Sequence, residues 1–334
     1  MDLKKYFILN ILFYIYLNMS YIPWIELYKP NNIENFNDHL IKIFKNFDKI
    51  KNILIYGLPG TGKTTFCDLI ITQFFKSHDN DNLLILNASD ERGINTVRNK
   101  IRNFCQKRVT LNDDFKLVIL DECDNLTYEA QATLRRILED FSNTKFFFIC
   151  NYNYKIINPI KSRCLELEFK KFSDEYILEF SLQILEKENI ITSDHLRQIY
   201  IKYIKYLILI QKNDIRKIIT YIEFLSKMNP KTFDKKIIND ITGHLGLEFT
   251  KNLLNKITSI RDISSIVKLL SNYSLNNLLE NILNIVVDND EIEYDNKKKM
   301  ISLLSEIDRY KNKKVDYEII VYKLIKEYML IKSK

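Results

Sequence analysis

Glycine, proline, tryptophan and histidine are all scarce in this chain of 334 residues: six, five, one and four respectively. No stretch is rich enough in Gly or Pro to read as a flexible or polyproline linker. Cysteine is nearly as rare. The five residues Cys67, Cys105, Cys123, Cys150 and Cys164 are odd in number and form no C-x-x-C pair. Neither a disulfide framework nor a zinc knuckle is therefore expected, and the expected compartment is reducing, nuclear or cytosolic. No internal repeat is present. A net charge of +7 permits a polyanionic partner without demanding one. Asn, Ile and Lys are overused along the whole chain, which reads as codon bias.

Long apolar runs are also missing. The longest, Tyr6 to Leu17, follows Lys4 and Lys5. It is too short for a membrane-spanning helix and has the outline of a signal sequence without a small-residue cleavage site. Three readings apply to residues 1 to 20: a targeting segment, an additional helix, or a gene-prediction artefact upstream of a true start at Met19. No membrane is expected to hold the mature domain.

What is present is concentrated. Three of the six glycines fall in Gly57-Leu58-Pro59-Gly60-Thr61-Gly62-Lys63-Thr64-Thr65, after the apolar run Ile53 to Tyr56 and before a helical pattern. Strand, glycine loop and helix form the context of a P-loop. The glycines let several backbone N–H groups point at one phosphate, and the helix start adds its positive dipole end. Lys63 suits the β- and γ-phosphates of ATP, and the Thr64 hydroxyl suits Mg²⁺.

Four more apolar runs suit buried parallel strands: Leu83 to Leu86, Leu117 to Leu120, Phe146 to Ile149 and Leu165 to Phe169. Helical patterns lie between them, so the first part reads as an α/β sheet covered on both faces. The clearest helix spans Tyr128 to Phe141, with Thr127 as its N-cap. After Phe169 only helices are expected. Starts are marked by Ser173-Asp174-Glu175, Ser193-Asp194 and Asn213-Asp214, and Asn229-Pro230 marks a break. Beyond it the pattern is helical again, for example Ile263 to Val287 and Lys297 to Ile307. The expected organisation is an N-terminal extension (1–20), a nucleotide-binding domain (21–170), a small helical domain (171–230) and an all-helical domain (231–334).

The strand Leu117 to Leu120 ends in Asp121-Glu122, where carboxylates face the ligand crevice of a parallel sheet. Asp121 suits Mg²⁺, and Glu122 suits the base that activates water. Asn151, ending the next strand, is either a hydrogen-bonding partner for the γ-phosphate or a turn residue. Arg163 is either a surface charge or an arginine finger for a neighbouring subunit's phosphate.

Several boxes then carry a resemblance. Trp24-Ile25-Glu26-Leu27-Tyr28-Lys29-Pro30, Asn87-Ala88-Ser89-Asp90-Glu91-Arg92-Gly93-Ile94, Asp121-Glu122-Cys123-Asp124, Gln131-Ala132-Thr133-Leu134-Arg135-Arg136, Ile149-Cys150-Asn151 and Ser162-Arg163-Cys164 resemble, in order and spacing, the motifs of clamp-loader small subunits. These are the replication factor C family within the AAA+ ATPases. The likeness is close from Trp24 to Phe172 and continues through Asn213-Asp214-Ile215-Arg216, similar to G-D-x-R. Phe104 to Leu111 and Ile157 to Ile160 lean toward the second-subunit type. Three substitutions depart from the family pattern: Lys29 for Arg, Cys123 for Ala and Asn213 for Gly. None removes a catalytic group.

The resemblance implies an α/β P-loop AAA+ domain with a five-stranded parallel sheet, then a helical lid and an all-α collar. ATP with Mg²⁺ would be held by Ile25, Gly57, Leu58, Pro59, Gly60, Thr61, Gly62, Lys63, Thr64, Thr65, Asn151 and Arg216. Thr64 and Asp121 would serve the metal. Glu122, Lys63 and Asn151 would be catalytic, with Arg163 acting in trans. Partners would be the other subunits of a hetero-pentamer, a sliding clamp and primer–template DNA, in the nucleus. Arg92, Arg98 and Lys100 are the DNA candidates, and the loop Phe104 to Leu111 a clamp candidate. The competing readings are another AAA+ motor, such as a branch-migration helicase subunit, and an ATP-binding scaffold without turnover. The W-x-E-x-Y-x-P and S-R-C boxes favour the clamp loader over the first, and Glu122 argues against the second.

Overall fold

Apolar runs bounded by polar loops become strands when both of their faces can be covered. In the computed structural model five strands form: β1 (Asn52–Tyr56), β2 (Leu83–Asn87), β3 (Lys116–Asp121), β4 (Thr144–Cys150) and β5 (Leu165–Glu168). The last, expected as a buried run, is an edge strand whose Leu-Glu alternation turns only Leu167 into the core and leaves its other three residues exposed. The structure describes residues 21–36, 38–75, 81–89, 94–107, 115–228, 230–256, 260–271, 273–290, 292–310 and 315–332. The extension 1–20, Arg92 and the second half of the clamp-candidate loop (108–111) lie outside these residues.

The strands are all parallel, in the order β2-β3-β4-β1-β5. β4 thus lies between β3 and β1, so the loops that leave β1, β3 and β4 at their carboxyl ends are neighbours. That is where an open parallel sheet collects a ligand. Alternate side chains fill two core layers. Ile53, Ile55, Leu117, Ile119, Phe147 and Ile149 pack on one side with Phe47, Phe66 and Ile70. Leu54, Val118, Leu120, Phe146 and Phe148 pack on the other with Ile101, Leu134 and Ile137.

The helices of this unit are α1 (Trp24–Leu27), α2 (Asp38–Lys45), α3 (Lys63–Phe75), α4 (Ile94–Gln106), α5 (Tyr128–Asp140), α6 (Asn158–Lys161), α7 (Asp174–Lys187), α8 (Asp194–Gln211) and α9 (Ile215–Met228). Their starts follow the expected caps. The hydroxyls of Thr127, Ser173 and Ser193 accept from the N–H groups of Ala130, Tyr176 and Leu196. Asn213 takes φ +65°, which explains how it stands where the family has Gly. Its side-chain amide donates to the Phe172 carbonyl at 3.0 Å and to Asp174 at 2.6 Å.

The chain divides into two compact units, one ending at Pro230 and one starting at Lys231. The second is helical: α10 (Lys235–Thr242), α11 (Leu247–Asn255), α12 (Ile260–Leu270), α13 (Leu275–Asp288), α14 (Tyr294–Tyr310) and α15 (Tyr317–Lys332). Its core holds Ile263, Leu270, Ile282, Met300 and Leu324. The segment expected as one helix from Ile263 to Val287 is two. It breaks between Leu270 and Leu275, where the Ser274 N–H bonds to the Gly243 carbonyl at 2.9 Å instead of continuing the helix.

Candidate active site

The loop from Gly57 to Gly62 turns sharply because its glycines adopt positive-φ conformations that side chains disfavour, and at two of them a side chain would also clash. Gly57 has φ +151°, and a Cβ there would lie 2.2 Å from the Phe169 carbonyl oxygen. Gly60 has φ +77°, and its Cβ would lie 2.4 Å from Oδ1 of Asp214. The second contact places the first turn of α9 directly on the loop. Gly60→Ala is therefore expected to weaken ATP binding and displace α9. The left-handed backbone alone costs about 1–2 kcal/mol. Nucleotide titration of the variant checks this, and unchanged affinity would contradict it.

Lys63 opens α3 and is buried. Its ammonium donates to the carbonyls of Gly57 at 2.7 Å and Leu58 at 2.9 Å, and to Oδ1 of Asn151 at 3.0 Å. The P-loop lysine and the amide at the tip of β4 thus meet. Thr61 is buried and bonds back to Leu58 at 2.8 Å. Thr64 lies beside Lys63 in the first turn, half-buried.

Asp121 ends β3. Its Oδ1 accepts from the Glu122 N–H at 2.8 Å. Burial pushes its carboxyl above the ordinary carboxylate range, against the pull of that N–H and of Lys63 and Arg216. Burial also pulls the Lys63 ammonium down, and the Arg216 guanidinium adds to this while Asp121 opposes it. Arg216 on α9, Lys63 on α3 and Asp121 on β3 therefore lie within one electrostatic neighbourhood. A triphosphate would relieve the repulsion between the two cations.

A hard cation would relieve the carboxylate. The donors fit Mg²⁺, which takes one or two protein oxygens and completes its shell with phosphates and water. Among the described residues no group of three or more His, Cys, Asp or Glu side chains gathers to hold a metal unaided. Asp121→Asn should consequently stabilise the nucleotide-free protein. With the folded pKa raised, the ionised carboxylate loses stability as pH rises through the carboxylate range. The gain in thermal midpoint should be present at pH 7 and vanish in acid. A variant no more stable than wild type at pH 7 would contradict it.

Glu122 sits in the left-handed region at φ 52°, a conformation that costs a non-glycine residue about 1–3 kcal/mol. Its Oε2 accepts from the Asn125 amide at 3.2 Å. Gln131, fully buried on α5, ties the neighbouring loops together. Its amide donates to the carbonyls of Leu126 and Lys155 and accepts from the Ile157 N–H.

Arg163 is not with the others. It precedes β5, beside Asn52 at the start of β1, whose amide donates to its carbonyl at 3.2 Å. The P-loop leaves the opposite end of β1, about 15 Å away at the rise of a strand. The guanidinium bonds to the Pro159 carbonyl at 2.8 Å and to Glu139 at 2.5 Å. Ile25 is half-buried on α1, and Arg98 and Lys100 are exposed on α4.

Sequence reasoning missed the contacts made by the segment around α1. Lys29 binds Asp68 of α3 at 2.6 Å, the Trp24 N–H donates to Glu223 of α9 at 3.1 Å, and the Tyr28 hydroxyl donates to Glu188 at 2.6 Å. No spacing rule links residues so far apart in the chain.

A five-stranded parallel sheet with a P-loop after β1, paired acids after β3 and a polar amide after β4 defines an AAA-type ATPase. The model of the ATPase family associated with various cellular activities (AAA) matches residues 53–171. Human replication factor C subunit 4 is 37% identical over 246 residues, covering 68% of this chain and 65% of that protein. A putative replication factor C small subunit of Acanthamoeba polyphaga mimivirus is 31% identical over 323 residues, 84% of this chain and 89% of that one. Replication factor C subunit 2 of Schizosaccharomyces pombe is 30% identical over 322 residues, 88% and 90%. The chain belongs to the replication factor C small subunits, ATPases that work as parts of a hetero-oligomer.

Proposed function

We propose that this chain is the ATP-hydrolysing small subunit of a nuclear, pentameric clamp loader that opens a sliding clamp and places it on primer–template DNA in replication and repair. The observation that carries the reading is the meeting of Lys63, Asn151 and Asp121 beneath the first turn of α9.

Lys63 holds the β- and γ-phosphate oxygens, exchanging its loop carbonyls for them. Thr64 and Asp121 would hold Mg²⁺, which when bound would supply positive charge against the phosphates. Glu122 accepts a proton from the attacking water. Asn151 orients the γ-phosphate or that water, Arg216 reaches the phosphates from the lid, and Ile25 packs near the adenine. Arg163, standing at the far end of the sheet from its own P-loop, serves a neighbour's nucleotide. The isolated chain should then bind ATP and turn it over poorly. ATPase assays before and after reconstitution with partner subunits, clamp and primed DNA test this. Fast turnover by the isolated chain would overturn the reading.

On α4, Arg98 and Lys100 face template phosphates, with Arg92 ahead of them in the sequence. Replacing Arg98 and Lys100 with Ala should weaken DNA binding equally across sequences. The slope of log affinity against log salt should become shallower by about 0.9 for each duplex phosphate that the variant no longer neutralises. Weakening at some sequences only would argue for base readout instead.

A further inference from the structure

We propose that the segment Trp24 to Lys29 is a strap that sets the position of Arg216 over the phosphate site, with Lys29 and Glu223 as its two positioning residues. The inference rests on the ATPase reading above and deepens it.

A closed chain of contacts carries the proposal. Lys63 begins α3, and Asp68 lies one and a half turns further along the same helix. The Asp68 carboxylate is bound by the Lys29 ammonium at 2.6 Å. From Lys29 the chain runs back through α1 to Trp24, whose side chain is buried. The Trp24 N–H donates to Oε2 of Glu223 at 3.1 Å. Glu223 is itself buried on α9, its other oxygen 3.5 Å from Lys227. Arg216 lies two turns earlier on α9, on the same face as Glu223. The Asp214 carboxylate and Ile215 N–H at the start of α9 then rest against Gly60 of the loop that ends at Lys63.

The circuit therefore runs from Lys63 along α3, across the strap to α9, and back to the P-loop. The Tyr28 hydroxyl adds a tie to Glu188, just beyond α7. A buried carboxylate that accepts a backbone N–H is costly to leave unpaired, so the Glu223 end is the stiffer one. The Lys29 end is an ion pair with Asp68, both partners about one-third exposed, with Glu26 of the strap itself 3.9 Å from the same ammonium, and it can be cut without opening a core.

The test uses the reconstituted complex and reads ATP affinity, KM and kcat for Lys29→Met, Lys29→Arg, Glu223→Gln and Arg216→Ala, with a double-mutant cycle between Lys29→Met and Arg216→Ala. Thermal midpoints are measured on each variant. Lys29→Met should lower ATP affinity roughly tenfold with a smaller effect on kcat, and Lys29→Arg should restore it. In the Arg216→Ala background Lys29→Met should cost no more than about twofold, because the strap acts through Arg216. A full tenfold loss in that background would overturn the proposal, as would unchanged affinity in Lys29→Met. Lys63→Ala in the same assay separates the two levels. If it abolishes binding while Lys29→Met does nothing, the strap is wrong and the ATPase reading stands. If Lys63→Ala has no effect, the ATPase reading itself fails.

Discussion

Glu122→Gln, placed in the assembled complex with partners whose own P-loops are disabled, should keep ATP bound and lose turnover by roughly 10²–10⁴. The substitution removes the proton acceptor and leaves Lys63, Thr64 and Asp121 in place. Glutamine also preserves the volume beside Asn125, whose amide now donates to Oε2. Binding should therefore change by less than about threefold, since no phosphate ligand is removed. Equal turnover in the variant would support a scaffold that binds ATP only to hold the ring together. A parallel loss of binding would mean that Glu122 supports the loop rather than the chemistry.

The second large effect concerns Arg163. Its distance from its own P-loop makes the expected phenotype a displaced one. Arg163→Ala should leave this subunit's ATP affinity unchanged and lower hydrolysis at the adjacent subunit's site by roughly 10³–10⁵. The experiment needs a complex in which that neighbouring site is the only intact one. Glu139 also holds Arg135, so removal of Arg163 leaves this carboxylate paired. A fold defect is thus not the expected cause of any loss. If instead this subunit's own site slowed, Arg163 would be acting in cis, and the sheet geometry makes that hard to reconcile.

The parts of the fold that were legible in the sequence are local. Strands β1 to β4 are built on apolar runs, and the caps Thr127, Ser173 and Ser193 are hydroxyls followed by helical patterns. The P-loop and the acids after β3 were legible because their chemistry demands fixed spacing. Register and long-range pairing were not. Lys116 and Lys145 look like charges at strand starts, yet both are buried. Lys116 donates to the Phe104 carbonyl at 2.7 Å at the end of α4, and Lys145 to the Ile50 carbonyl at 2.6 Å. Such caps depend on which helix or loop ends beside which strand, and that follows from the sheet order rather than from local pattern. Glu223 is a similar case. On its helix it reads as a surface acid, and only the returning strap turns it into a buried acceptor. The split between α12 and α13 went unread because Ile263 to Val287 is apolar at helical spacing across the break.

The most direct measurement is a structure of the assembled complex with Mg²⁺ and a non-hydrolysable ATP analogue. The account predicts the γ-phosphate within hydrogen-bonding reach of Lys63 and Asn151, the metal between Thr64 and Asp121, Arg216 of the same chain on the phosphates, and a guanidinium from the next subunit closing the site. A nucleotide bound elsewhere, or one that leaves Lys63 and Asp121 unengaged, would contradict it.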